Sequence, residues 1–366
     1  MFDLGFSMTS LAALAAGGGA GGPSFGGTAV IPIWGNSQAG NGSADDMAAA
    51  IAASGWQPSD MVRIAGATNG SLVQFEPGVA GKGGLNFGAA SANVGPALGL
   101  GVEWRARFPA DKLVAHVESN GGSFLSRGPS TGTLTGSISG NILTVTAGGM
   151  PGGNVLLTGS GVPTGTYTAS FGPGPANQVY VYKLGQSGNV NYTVASTTMT
   201  KYNALLSWLP DCSTGYSGNN GSITNGARGR LASVMTALTN AGENPFIPAF
   251  VLVMETNDVL NETATAEFAA GLDTLITALR AQFPLSTTQF ILLRAQPNRS
   301  GSDVVRAAQA AKSASDPLVT LLDTDNYARN AVSGGDPTQL HWRLINGLNL
   351  AGKSVVDVIR GVEAGI

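Results

Sequence analysis

From residue 128 to about residue 200 the chain carries one charged side chain, Lys183. Over that span short Val/Thr/Tyr runs, from "PSTGTLTGSISGNILTVTAGG" to "NYTVASTTMT", alternate with Gly/Pro/Asn turns. β-Branched and aromatic residues between such turns are the pattern of a small all-β module, and helical periods are missing. Any fold for this chain must hold a β module inside a sequence of another kind. We divide it into an N-terminal arm (1–27), a first α/β part (28–127), the inserted β module (128–200) and a second α/β part (201–366).

The flanking parts alternate strand and helix signals. "TAVIPIW" reads as a short buried strand, Ser43 with Asp46 three residues on resembles a helix N-cap with a capping acid, and "DMAAAIAAS" has helical propensity. "GPALGLGVEWRARFP" suggests a helix and "KLVAHVE" a strand ending at the turn "SNGGS". Beyond residue 227 come helix "ARGRLASVMTALTNAG" and strand "IPAFVLVM". Phe268, Leu272, Leu275, Ile276, Leu279 and Phe283 then fall at offsets 0, 4, 7, 8, 11 and 15, one helical face. Strand "TQFILLRA", helix "SDVVRAAQAAKSA", strand "PLVTLLD" and a helix around "LAGKSVVDVIRGV" follow. Strands alternating with helices predict a parallel sheet covered on both faces.

Charge narrows the partners. Only 11% of the 366 residues are charged, the net charge is −3, and the cations are scattered, so a surface that tracks nucleic-acid phosphates is not expected. Cys212 is the only cysteine, which excludes an intrachain disulfide or a Cys-based metal site. "SLAALAAGGGAGG" has the look of a signal-peptide apolar region, but no Lys or Arg precedes Arg63, and we read it as part of a flexible arm. The sequence has no apolar run of the ~20 residues that cross a bilayer, so no membrane partner is expected.

Open parallel sheets bind ligands beyond the carboxyl ends of their strands, which directs attention to the turns there. The first strand runs into "GNSQ" with Ser37, "KLVAHVE" into "SNGGS" with Gly121 and Gly122, and "IPAFVLVM" into "ETND" with Asn257. "DPTQLHW", with Asp336 and His341, precedes the last helix. Acyl transfer needs a nucleophilic hydroxyl, an imidazole to move its proton, and donors aimed at the developing oxyanion, and all three kinds of group occur here. Plainer roles stand beside these: Ser37 as a turn hydroxyl, Asn257 or Asp258 as a helix cap, and Asp336 as a turn former before Pro337. The chain has two histidines; His116 lies inside a strand pattern and reads as a core or strand-face residue, leaving His341 as the base. Neither has a His or Cys neighbour at metal-ligand spacing, so no metal and no cofactor is expected.

The ordered set resembles the SGNH hydrolases, whose Ser, Gly, Asn and His lie in four sequence blocks, and in particular their carbohydrate O-acetylesterase branch. Ser37 in "WGNSQA", Gly122 in "NGGS", Asn257 in "ETND" and His341 match the four blocks in order, across residues 28–127 and 200–362. "VRAAQAA" with "LLDTDNY", and "GPALGLGVEW", are similar to sialate- and xylan-type acetylesterase segments. The resemblance implies a three-layer α/β/α sandwich with a central parallel sheet, of flavodoxin-like SGNH type, carrying the inserted small all-β domain. It further implies Ser37 as nucleophile, His341 as base, and an oxyanion hole from Ser37, Gly122 and Asn257. The substrate implied is an acetylated carbohydrate or other small ester, and a homo-oligomer stays open. Two positions depart from the family. Thr338 stands where an Asp three residues before the histidine is usual, so either Asp336 orients His341 or the pair works as a Ser-His dyad; Glu255 replaces a glycine of the third block. The β module resembles one that recurs in phage and bacterial surface proteins, which implies a virion tail or extracellular setting. The competing readings are a non-catalytic binding or virion structural protein with a decayed esterase fold, and an esterase of simple lipid or aryl esters.

Overall fold

The computed structural model describes residues 24–35, 39, 47–65, 72–79, 82, 95–119, 125, 130–151, 155–169, 172–183, 189–202, 208, 226–254, 258–260, 262–297, 299–327, 342 and 344–364. In chain order the first elements are β1 (Thr28–Gly35), α1 (Met47–Ser54), β2 (Val62–Ala65), β3 (Leu72–Gln74), α2 (Ala97–Arg107) and β4 (Lys112–Ser119). Next come β5 (Ser130–Gly140), β6 (Ile142–Gly148), β7 (Leu156–Gly159), β8 (Thr166–Thr168), β9 (Gln178–Lys183) and β10 (Tyr192–Tyr202). The chain continues through α3 (Ala227–Asn240), β11 (Pro245–Phe246), β12 (Ala249–Val253), α4 (Glu262–Gln282), β13 (Gln289–Leu293), α5 (Ser302–Ser315) and β14 (Val319–Leu322). A π-helical turn, Leu344–Leu348, leads into α6 (Asn349–Ala364).

Every residue of β1 is buried, as an unbroken apolar run requires of a strand covered on both faces. It lies inside an eight-stranded sheet of order β14-β13-β12-β1-β4-β2-β3, with β11 pairing beside its first residues. A proline inside a central strand removes a ladder donor. On one side of β1 the registered partners stop at Ala29 with β11 and resume at Ile33 with β12, and Pro32 falls in that gap.

This architecture corrects the expected three-layer α/β/α sandwich on a parallel sheet. The sheet is mixed, because β3 runs antiparallel to β2. The reason is chain length: only residues 66–71 separate the two strands, whereas a parallel return needs a dozen or more. The β-rich segment adds a second architecture, a closed antiparallel barrel of order β10-β5-β6-β9-β8-β7. Alternate residues such as Leu134, Ile138, Leu143, Val179, Val181 and Met199 fill its interior, and closure gives each of the six strands two neighbours. Tyr202 is registered with Ser130, so the barrel's first and last strands bring its two chain ends together.

Two apolar cores lie against the eight-stranded sheet. One joins Ile31, Ile33, Leu113, Ala115 and Val117 to side chains of α1, α2 and α6. The other joins Val30, Trp34, Val114 and Phe250 to α3, α4 and α5, and takes in the whole Phe268–Phe283 stripe. Among the described residues no helix is long and apolar enough to cross a membrane.

Candidate active site

Gly35, the last residue of β1, is registered with Ser119 at the end of β4 and with Val253 at the end of β12. Three adjacent parallel strands therefore stop on one line. β4 and β2 lie to one side of β1 and β12–β14 to the other, so this line is the switch point of the sheet, the place where open α/β sheets bind their ligands. A Cβ on Gly35 would sit 2.0 Å from the Val253 carbonyl oxygen, so the close approach of β1 to β12 needs a residue without a side chain.

Ser37, Gly122 and Asn257 stand two, three and four positions beyond Gly35, Ser119 and Val253 along the chain. They lie outside the described residues, as do Gly121, Glu255, Asp336, Thr338 and His341, and the Ser43 and Asp46 capping pair. What the structure describes is their surroundings. Residues 328–341 begin after Tyr327 and end before Trp342, and those two rings meet edge to face with centroids 6.1 Å apart. The two described residues that flank the stretch with Asp336 and His341 are thus in contact. Trp342 is fully buried in the same core as Ile33, Val253 and Ala39, the last of these two residues past Ser37.

Beneath the switch point, on the other face of the sheet, lies a buried polar network. His116 and Glu118 alternate onto one face of β4, and Trp34 is registered with Glu118. The Trp34 indole N–H donates to His116 Nδ1 at 2.9 Å, which leaves the ring proton on Nε2, 3.4 Å from a Glu118 oxygen. Arg230 of α3 grips Glu118 through two bonds, Nε to Oε1 at 2.6 Å and a terminal nitrogen to Oε2 at 2.7 Å. Burial pushes the His116 pKa down to about 4, with Glu118 acting against the shift and Arg230 with it. His116 is thus a neutral core histidine that fixes Trp34, and Trp34 in turn packs on Trp208 and Phe250.

Asp258, read in the sequence as a local cap, reaches much farther. Its fully buried carboxylate accepts from the Leu125 backbone N–H, 3.0 and 3.2 Å from the two oxygens. Its own carbonyl accepts from the Thr265 hydroxyl at 2.6 Å. Leu125 follows β4 and Asp258 follows β12, so this contact ties together the segments that emerge from the two strands flanking β1. No sequence signal announces it, since the partners are 133 positions apart. The Arg230–Glu118 pair, 112 positions apart, carries no sequence signal either, although the spacing of His116 and Glu118 marks them as one face of a strand.

A cavity of about 300 Å³ lies near this end of the sheet, lined by Thr265, Ala266, Ser300, Gly301 and Val304. Gly301 N–H donates to the Val259 carbonyl beside Asp258. A second cavity of about 330 Å³, lined by Phe25, Phe246, Leu285, Gln289 and Ile359 among others, lies at the opposite edge, where β11 pairs the start of β1 and β13 begins. It is remote from the strand ends just described.

No protein-family model and no curated protein matches the sequence. Among the solved structures similar in fold are the following two. One is a protein from Arabidopsis thaliana, 11% identical, covering 92% of this chain and 98% of its own, with a TM-score of 0.53. The other is NanS, 8% identical, covering 94% of this chain and all of its own, with a TM-score of 0.51. At such identities the likeness concerns the fold alone.

Proposed function

We propose that the chain is a serine esterase that removes O-acetyl groups from a carbohydrate. The observation that carries this reading is the common end line of β4, β1 and β12, because the sequence blocks with Gly122, Ser37 and Asn257 follow directly from those ends. In the proposed reaction Ser37 Oγ adds to the acetyl carbonyl carbon while His341 accepts its proton. Donors from Ser37, Gly122 and Asn257 hold the oxyanion. Collapse breaks the bond to the sugar oxygen, which takes the proton back from His341, and water then attacks the acetyl-serine by the same route to release acetate. Asp336 holds His341 in the tautomer this needs. The inserted barrel, with its near-absence of charge, suits docking on a surface polysaccharide in a phage-tail or extracellular setting.

The test is hydrolysis of an aryl acetate and acetate release from an acetylated polysaccharide, each with Ser37→Ala as control. Loss of both activities by several orders of magnitude, with folding intact, is the expected result. Equal activity of the two proteins would end the reading. Absence of activity in both would favour the non-catalytic surface protein, for which Thr338 in place of the usual Asp speaks, and aryl-acetate activity alone would favour a general short-chain esterase.

A further inference from the structure

We propose that Asp258 is a positioning residue that sets the geometry of the oxyanion site by tying the segment after β4 to the segment after β12. The inference rests on the esterase reading, in which one donor, Gly122, comes from the first segment and another, Asn257, from the second. Leu125 lies three residues beyond Gly122, and Asp258 is the residue next to Asn257. Leu125 is held from two sides. Its N–H donates to the fully buried Asp258 carboxylate, and its carbonyl packs against α4 so closely that a Cβ on Gly271 would fall 2.4 Å from the oxygen. The Leu125 side chain is itself fully buried in the core that contains Phe268 and Leu272 of α4. Asp258 is braced in turn by the Thr265 hydroxyl on its carbonyl.

A bond from a backbone N–H to a carboxylate is stronger than one to a neutral acceptor, and here it is shielded from water. Removing the carboxylate leaves the Leu125 N–H buried without this acceptor, and the segment can then shift. Oxyanion donors act through placement, so a small shift of one against the other lowers turnover more than binding.

The experiment measures kcat and KM for an aryl acetate, and amide hydrogen exchange at Leu125, in the wild type, Asp258→Ala and Asp258→Asn. In Asp258→Ala, Leu125 exchange should quicken and kcat should fall about tenfold to a hundredfold with KM within about threefold. That is less than the ~10²–10³ expected for losing a donor itself. Asp258→Asn keeps one acceptor oxygen and should recover most of kcat and most of the protection. If Asp258→Ala fails to fold, Asp258→Asn decides, since its kcat and its Leu125 protection must then move together. Faster exchange with unchanged kcat overturns the inference while leaving the esterase reading intact. A wild type without esterase activity overturns the reading and takes the inference with it.

Discussion

The indole N–H of Trp34 donates to Nδ1 of His116 across 82 positions of sequence, at 2.9 Å and out of contact with water. Protonating His116 on that nitrogen would break the bond and place a cation beside Arg230, which pairs with Glu118. The fold therefore favours the neutral imidazole.

A pH dependence of stability follows. With a folded pKa of about 4, His116 takes up its proton later than in the unfolded chain, where the ordinary value is about 6.5. The unfolded state binds more protons in that interval, so this contribution is complete above pH ~6.5 and lost as pH falls toward 4, to a total of about 3 kcal/mol. A second loss begins lower, because Arg63 and Arg280 hold Glu243 and Asp316 down to about 2. These carboxylates stabilise the fold above their ordinary values, and that share fades as pH falls through 4 toward 2. Urea titrations between pH 7.5 and 4.5 should show the first loss, and His116→Gln, which retains an acceptor for Trp34, should flatten it. An unchanged slope in that variant would reassign the effect.

Gly35→Ala should lower stability by about 1–3 kcal/mol, the usual cost of forcing extra atoms into a packed core, because the new Cβ meets backbone rather than a movable side chain. On the esterase reading it should also cut aryl-acetate turnover by more than the loss of folded protein explains. Thermal melts and kcat measured on the same samples separate the two effects.

The barrel should be removable. Its chain ends meet at Ser130 and Tyr202, and it has a core of its own. Replacing residues 131–201 by a short flexible linker should leave a folded protein, visible as a cooperative melt, and should spare aryl-acetate hydrolysis while lowering activity on polysaccharide. Insolubility of the excised chain would mark the barrel as integral to the fold.

Asp336→Asn tests how His341 is oriented. If the Asp336 carboxylate holds the imidazole, kcat should fall by about 10²–10⁴-fold with little change in melting temperature. A silent substitution would mean a Ser-His dyad.

Local periodicity in the sequence specified β1, β4, β12, β13, β14 and the helices that cover the sheet, but not the short strands β2, β3 and β11. The unbroken run in β1 has no polar face, and the stripe from Phe268 to Phe283 recurs at helical spacing, so each states its own conformation and burial within a few residues. Ser37, Gly122, Asn257, Asp336 and His341 could likewise be singled out from residue type and from their place after strand or before helix. Tertiary structure alone decided which strands are neighbours, the reversal at β3, the closure of the barrel, and the meeting of three strand ends at Ser119, Gly35 and Val253. It also chose Leu125 as the partner of Asp258 and Arg230 as the partner of Glu118, over 133 and 112 positions. A strand's own residues set its pleat and which face is apolar. Its partner is set by how all the apolar faces can be buried together, and that condition involves the whole chain at once.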